Sequence, residues 1–326
     1  MAEAQAPAAE AHDPAYTPDR ARERAARYAS KLATTTDWPA ISQAATALDV
    51  DALRRELAAG VGVDTLVMGP EFESPTTGGR TPLQLICEAT NELIIYRRGG
   101  TDDAFLGWAA SSPSRRREID DGINADRIAC VALLLEHGAS PNPGGPLKTP
   151  LMGAARNGSL PIVNMLLSAG SDVNALYRIA PNLTDDIWSA LFITVLAQKR
   201  DSAAIADALL KAGADPNPPE NADRSLMEWA IHIAHRDRCL WPVLLRGGAI
   251  LPPRVNPNNG NAGFQAWNNQ LARPYLEKIE AAGSWKAYEK AHRAKLLATF
   301  TPKFTHLVPP ELVPLILEFS FHIGFY

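Results

Sequence analysis

The sequence predicts an all-α chain of about five helix–turn–helix units followed by a helical extension. Three observations carry that expectation. Between Lys148 and Asn174 two short helical patterns follow one another, each stopped by a glycine, Gly158 and then Gly170. The closure Leu-Leu-x-x-Gly at Gly170 returns at Gly138, Gly213 and Gly248, and the opening Thr149-Pro150-Leu151 is already present at Thr81-Pro82-Leu83. Self-similarity at a fixed period of roughly 20–50 residues marks a stacked array in which each unit buries its apolar face against its neighbours.

The unit from Lys148 to Asn174 shows why these residues make helices. Thr149 can cap a helix N-terminus with its hydroxyl while Pro150 takes the first helical position, where a missing N–H costs nothing. Ala154 and Ala155 permit close approach of a second helix, and Gly158 supplies the left-handed residue that ends the first. Ser159 and Pro161 then open a helix carrying Ile162, Val163, Leu166 and Leu167. After Gly170 the chain is expected to turn outward into a hairpin finger leading to the next unit.

Taken in order, residues 1–18 are rich in Ala and Pro and have the composition of a flexible tail. Residues 19–40 can form a basic, Ala-rich helix that serves as an N-terminal cap. The first unit spans 41–64, with Ile41, Ala44, Ala45 and Leu48 at helical spacing, and Asp51 opening a second helix with Leu53 and Leu57. The second runs over 80–142 and is too long: Thr81 and Thr149 lie 68 residues apart, yet only one set of helix and hairpin signatures lies between them. The surplus is read as an insertion over 88–124, a loop between two helices that holds Gly99-Gly100 and the run Ser111 to Arg117. Its Arg115–Arg117 cluster beside Ser112 and Ser114 is read as a solvated basic loop, with a phosphorylation-tuned docking site or a nuclear address as the alternatives. The third unit covers 148–175, the fourth 188–217 and the fifth 224–251. Leu251 to Gly263 is a loop, and 264–326 forms the C-terminal helical extension, in which Leu312, Leu315, Ile316 and Phe319 occupy i, i+3, i+4 and i+7.

Composition narrows the function classes. Thirty-two basic residues against 36 acidic give a net charge of −4, which draws the chain neither to nucleic acid nor to an anionic membrane surface. Cys87, Cys130 and Cys239 are an odd number at core-like helical positions and read as reduced thiols. No apolar run reaches the ~20 residues of a membrane helix, and no signal or transit design opens the chain, so the expected location is cytoplasmic or nuclear. No phosphate-cradling glycine motif, nucleophile elbow or cofactor motif is present, so no catalytic residue and no cofactor is assigned. Glu228, His232, His235 and Cys239 share one side of a continuous helix, but the expected helix break near His235 argues against a metal site there.

The openings at Thr81 and Thr149, the Ala154-Ala155 pair, Gly158 and the four Leu-Leu-x-x-Gly closures resemble the ankyrin-repeat family over about residues 41–251. The usual His after Thr-Pro-Leu is replaced by Gln84, Met152, Phe192 and Glu228. The resemblance implies a solenoid of helix pairs with projecting fingers, used for protein–protein contact and without an active site. In that register Arg80, Lys148, Trp188 and Arg224 precede the openings near finger tips, Arg156, Arg178 and His232 lie on or near the concave side, and Trp188 and Trp229 serve as aromatic anchors. These eight residues are the candidate partner-binding set, suited to an acidic or phosphorylated segment. The tail offers a second reading: Val308 to Phe319 looks like the opening of an F-box, and its place after the repeats is similar to a SOCS-box arrangement, which would make the chain a substrate receptor of a ubiquitin ligase.

Overall fold

A computed structural model describes residues 20–23, 25–26, 38–67, 79–99, 102–144, 148–178, 187–218, 225–233, 239–254, 266–304 and 307–314. The tail at 1–18 lies outside them, and of the expected N-terminal helix the described residues 20–23 and 25–26 are helical, with Ala21 and Ala25 buried. The chain divides into two compact units, Met1–Gly153 with Ser168–Ser171, and Ala154–Leu167 with Asp172–Tyr326.

In the first unit α1 (Ala40–Ala47) stops at Leu48, which adopts a left-handed φ of 54°, and Asp49 then caps α2 (Val50–Ala58) by accepting from the Ala52 N–H at 2.9 Å. Thr81 opens α3 (Pro82–Glu88) with a reciprocal cap: the Gln84 N–H donates to the threonine hydroxyl, and the Gln84 side-chain oxygen accepts from the Thr81 N–H. Gln84 Nε2 also donates to the Lys148 carbonyl at 3.1 Å, so a glutamine links one opening to the next. Helix α1 packs on α2 and α3, and α2 and α3 pack on the helix that follows the insertion.

The insertion is not a loop. Over 88–124 the chain forms α4 (Asn91–Gly99), α5 (Asp102–Ala110) and the front half of α6 (Pro113–Glu136), a 24-residue helix. The Ser-Ser-Pro-Ser run is a helix start: Ser112 caps α6, accepting from the Arg115 N–H, and Pro113 sits in its first turn. Two of the three arginines are engaged locally, Arg115 with Glu118 at 2.6 Å and Arg116 with the Ala109 and Ser111 carbonyls that end α5. Ile94, Phe105 and Trp108 are buried, and α4 packs against α1, α5 and α6. Two further arginines fasten this wedge. Arg98 donates to the Ala47 and Leu48 carbonyls, satisfying the frayed end of α1, and pairs with Asp126 at 2.7 Å. Arg127, 1% exposed, donates to the Ala89 carbonyl at 3.0 Å and to Asn91 Oδ1 at 2.8 Å. Burial lowers its pKa to about 10 and pushes the neighbouring Cys87 thiol up to about 12.

Helix α7 (Pro150–Asn157) begins in the first unit, where a Cβ at Gly153 would lie 2.7 Å from the Cys87 carbonyl oxygen. The glycine is there for close approach. In the second unit α8 (Leu160–Ser168) is followed by a hairpin, β1 (Tyr177–Arg178) with β2 (Ile187–Trp188), Tyr177 facing Trp188 in antiparallel register. This short ribbon is the expected finger. Ser189 caps α9 (Ala190–Ala197), accepting from the Phe192 N–H at 3.1 Å, and Gln198 ends it at φ 45°. Helices α10 (Ser202–Lys211), α11 (Leu226–Ile233) and α12 (Leu240–Arg246) follow; α9 packs on α10 and α11, and α12 on α10 and α11. First helices thus meet first helices, and second helices meet second helices.

On the finger side a ladder of side chains fixes the spacing. In the first unit the Asp64 carboxylate accepts from the Ser140 N–H, and Asn142 Nδ2 donates to the Gly170 carbonyl at 2.8 Å. In the second, Asn174 donates to the Gly213 carbonyl and accepts from the Asp215 N–H, while Asn217 does the same with Gly248 and Ile250. The next rung position is Pro252, which has no amide to offer, and the Trp267 indole N–H donates to its carbonyl at 3.0 Å. From there α13 (Arg273–Ala281) and α14 (Trp285–Phe304) close the unit: Tyr275 stacks 6.0 Å from Trp241, and Arg246 binds Glu289 at 2.8 Å.

Candidate partner-binding site

The second unit gathers an aromatic row. Trp188 ends β2, and four residues later Phe192 lies in the first turn of α9, their rings 6.2 Å apart. Because α9 packs on α11, Phe192 also meets Trp229 edge-on at 5.8 Å, and Trp229 meets His232, one turn on, at 6.5 Å. Phe192 is buried, 4% exposed, and spaces the indoles; Trp188 and Trp229 are half-buried and His232 is exposed. Edge-to-face and tilted contacts of this kind hold large apolar side chains in fixed orientations. Phe192 was missed as a site element by sequence reasoning. Its signal was its place: third after Ser189, as Gln84 is third after Thr81 and Glu228 third after Ser225.

The other candidates are distributed differently. Arg156 is exposed on α7. Arg178 pairs through its backbone in β1, its side chain lying outside the described residues, as does the whole of Arg224. In the first unit the Arg80 backbone is bridged to Val67 and its guanidinium bound to Glu88, with about a fifth of each side chain exposed. The ion pair with Glu88 holds the Arg80 side chain against α3. Lys148 is half-buried, and its carbonyl receives Gln84.

Glu228 is spent on its own helix. Its carboxylate accepts from the Ser225 N–H at 2.6 Å, and its N–H donates to the Ser225 hydroxyl. Helix α11 ends at Ile233, His235 lies outside the described residues, and Cys239 sits at the start of α12. Among the described residues no three His, Cys, Asp or Glu side chains come together in a metal-holding group, and no helix is long and apolar enough to cross a membrane. Of the four C-terminal docking candidates Leu312 is described, 44% exposed in a 3₁₀ turn at Pro310–Leu312, while Leu315, Ile316 and Phe319 lie outside.

With caps, glycine-closed helix pairs and an asparagine ladder in place, the sequence between them can be compared with known families. Residues 147–177 match the ankyrin repeat. That match covers α7, α8 and the entry to the finger at Tyr177, the stretch in which the Thr-Pro-Leu opening and the Gly158 and Gly170 stops follow one another. The ankyrin repeat is a protein–protein interaction module, generally without catalytic chemistry of its own. No curated protein matches the chain.

Proposed function

We propose that this chain is an interaction scaffold in which ankyrin-type helix pairs stack as a solenoid and capture a segment of another protein against Trp188 and Trp229. The observation that supports this most is the row Trp188–Phe192–Trp229–His232, built on two adjacent first helices and the finger that precedes one of them. Half-exposed tryptophans held rigidly by a buried ring lose little entropy on contact, which is why such residues dominate binding hot spots. Arg156, exposed on α7, suits an acidic or phosphorylated flank of the partner segment.

Tagged full-length chain and a Trp188→Ala/Trp229→Ala variant, each shown folded by circular dichroism, are to be compared by quantitative co-purification. Loss of even one hot spot of ~2 kcal/mol lowers affinity about thirtyfold, so the proteins specific to the parent chain should drop out of the variant sample. An unchanged set of recovered proteins overturns the reading. Within the set, partners lost on Arg156→Glu and retained on Arg156→Lys are those with acidic or phosphorylated segments.

A further inference from the structure

We propose that the ends of helices α7, α9 and α11 form a row of exposed donors that captures a polyproline-type segment of another protein with a carboxylate at every third residue. This rests on the reading of the second unit as a capture surface, and it names the charge pattern and backbone shape of what is captured. Arg156 stands in the last turn of α7, Lys199 and Arg200 just past the end of α9, and His232 in the last turn of α11; all four are exposed. Two contacts hold these ends side by side. A Cβ at Gly158, just after Arg156-Asn157, would lie 2.6 Å from the Lys199 Cβ, so the lysine stem rests against the α7–α8 turn where the glycine leaves it room. Gln198, next to Lys199, donates from Nε2 to the carbonyl of Ile233, next to His232, at 2.7 Å.

The charged groups of the row are not spent on the fold. Among the described residues the Arg156, Lys199 and Arg200 side chains enter no ion pair or hydrogen bond, and neither does the exposed carboxylate of Asp201 beside them. His232 meets Trp229 at 6.5 Å, which joins the row to the aromatic residues. A cation in the last turn of a helix is favoured by the helix dipole, which accounts for Arg156 and His232, but that effect falls off beyond the last turn. Arg200 lies past it, after left-handed Gln198 has already ended α9.

Spacing selects the occupant. Packed helices lie about 8–10 Å apart, and α9 packs on α11. A polyproline II chain has three residues per turn and rises about 3.1 Å per residue, so every third side chain returns to the same side about 9 Å further on. A β-strand returns every second residue, about 7 Å on, and falls out of step. Carboxylates in the first pattern meet Arg156, then Lys199 with Arg200, then the His232 N–H, each in a charge-assisted hydrogen bond. Prolines between them fix that backbone in advance, so little entropy is lost on capture. Nucleic acid draws its affinity from many neutralised phosphates, and an anionic membrane recruits clusters of about four to eight cations. Here three cations sit beside Asp201 on a chain of net charge −4.

The test uses the full-length chain and two fluorescein-labelled peptides of about 13 residues made only of glutamate and proline in the same proportions. One has glutamate at every third position, and the other has all its glutamates together at one end. The spaced peptide should bind at least about tenfold more tightly than the blocked one, and should weaken as salt rises from about 50 to 300 mM. Arg156→Ala/Lys199→Ala/Arg200→Ala, shown folded by circular dichroism, should lose that preference, while Arg156→Lys/Arg200→Lys should keep most of it. Equal binding of the two peptides by the parent overturns the proposal, as does a preference that survives the triple alanine variant. Displacement of the spaced peptide by single-stranded RNA or phosphatidylserine vesicles at lower concentration than by unlabelled peptide overturns it as well. The tryptophans are judged apart from this: the Trp188→Ala/Trp229→Ala variant should retain the preference for the spaced peptide, and its co-purified proteins decide the aromatic row.

Discussion

The connection between α3 and α6 and the connection between α9 and α10 join equivalent helices in very different ways. Between α9 and α10 the chain turns in four residues, with left-handed Gln198 ending one helix and the Ser202 hydroxyl accepting from the Lys199 N–H to start the next. Between α3 and α6 it makes a detour through α4 and α5 and lengthens α6 forward to Pro113. Yet the finger side is alike in the two places: Asp64 still reaches Ser140 and Asn142 still reaches Gly170, as Asn174 reaches Gly213. Register is therefore carried by the finger-side ladder and the contacts of first helices, so the turn on the opposite side can grow without disturbing it.

The largest test of that contrast is Arg127→Ala. The long connection has a buried anchor that the short one lacks, and truncation leaves a cavity together with the Ala89 carbonyl and Asn91 deprived of their donor. A loss of ~3 kcal/mol is expected from those two effects together, read as a lowered urea midpoint. Hydrogen exchange should show opening concentrated in α4 and α5, with α9 to α12 still protected. Uniform loss of protection would mean that the wedge is part of the shared core and not an addition to it.

Much of this frame was legible from residues. Thr81, Thr149, Ser189 and Ser225 each cap the helix expected of them, and Gly138, Gly158, Gly170, Gly213 and Gly248 all have the positive φ that their closing positions require. The wedge was hidden because Gly99 and the Ser111-Ser112-Pro113 run look like loop while serving as helix boundaries, and its arginines look like solvated charge while three of them bind carbonyls. Leu48 and Gln198 in left-handed backbone carry no compositional mark at all. At the candidate site both tryptophans could be named from sequence, whereas the placement of the Arg80 side chain follows from its pairing with Glu88, a contact eight residues along.

A smaller effect sharpens the same comparison. Asn142→Ala removes a rung beside the inserted helices, and Asn217→Ala removes one from a pair joined by a short turn. If the ladder sets register in both settings, each should lower stability by a similar ~1 kcal/mol, the usual worth of one or two part-exposed hydrogen bonds. A loss confined to Asn217 would show that α4 and α5 have taken over the spacing of their own pair.

The smallest effect separates the wedge from the C-terminal helices. The wedge is anchored by Arg127, which at about 10 stays charged through the neutral range. The C-terminal helices instead hold a half-buried imidazole: His292 stacks on Tyr288 at 5.7 Å, and its partial burial, with Lys278 and Lys295 nearby, holds its pKa below the ordinary value of 6.5. The folded chain keeps this ring neutral, while the unfolded chain takes up a proton as pH falls past 6.5. Its contribution is therefore complete above that value, declines as pH falls from there to the folded-state pKa, and then levels off. His292→Gln should flatten the stability profile in that interval and leave the profile above neutrality parallel to the parent's, whereas Arg127→Ala should lower the profile at every pH without changing its slope there. The two variants together would assign acid sensitivity to the C-terminal helices and mechanical anchoring to the wedge.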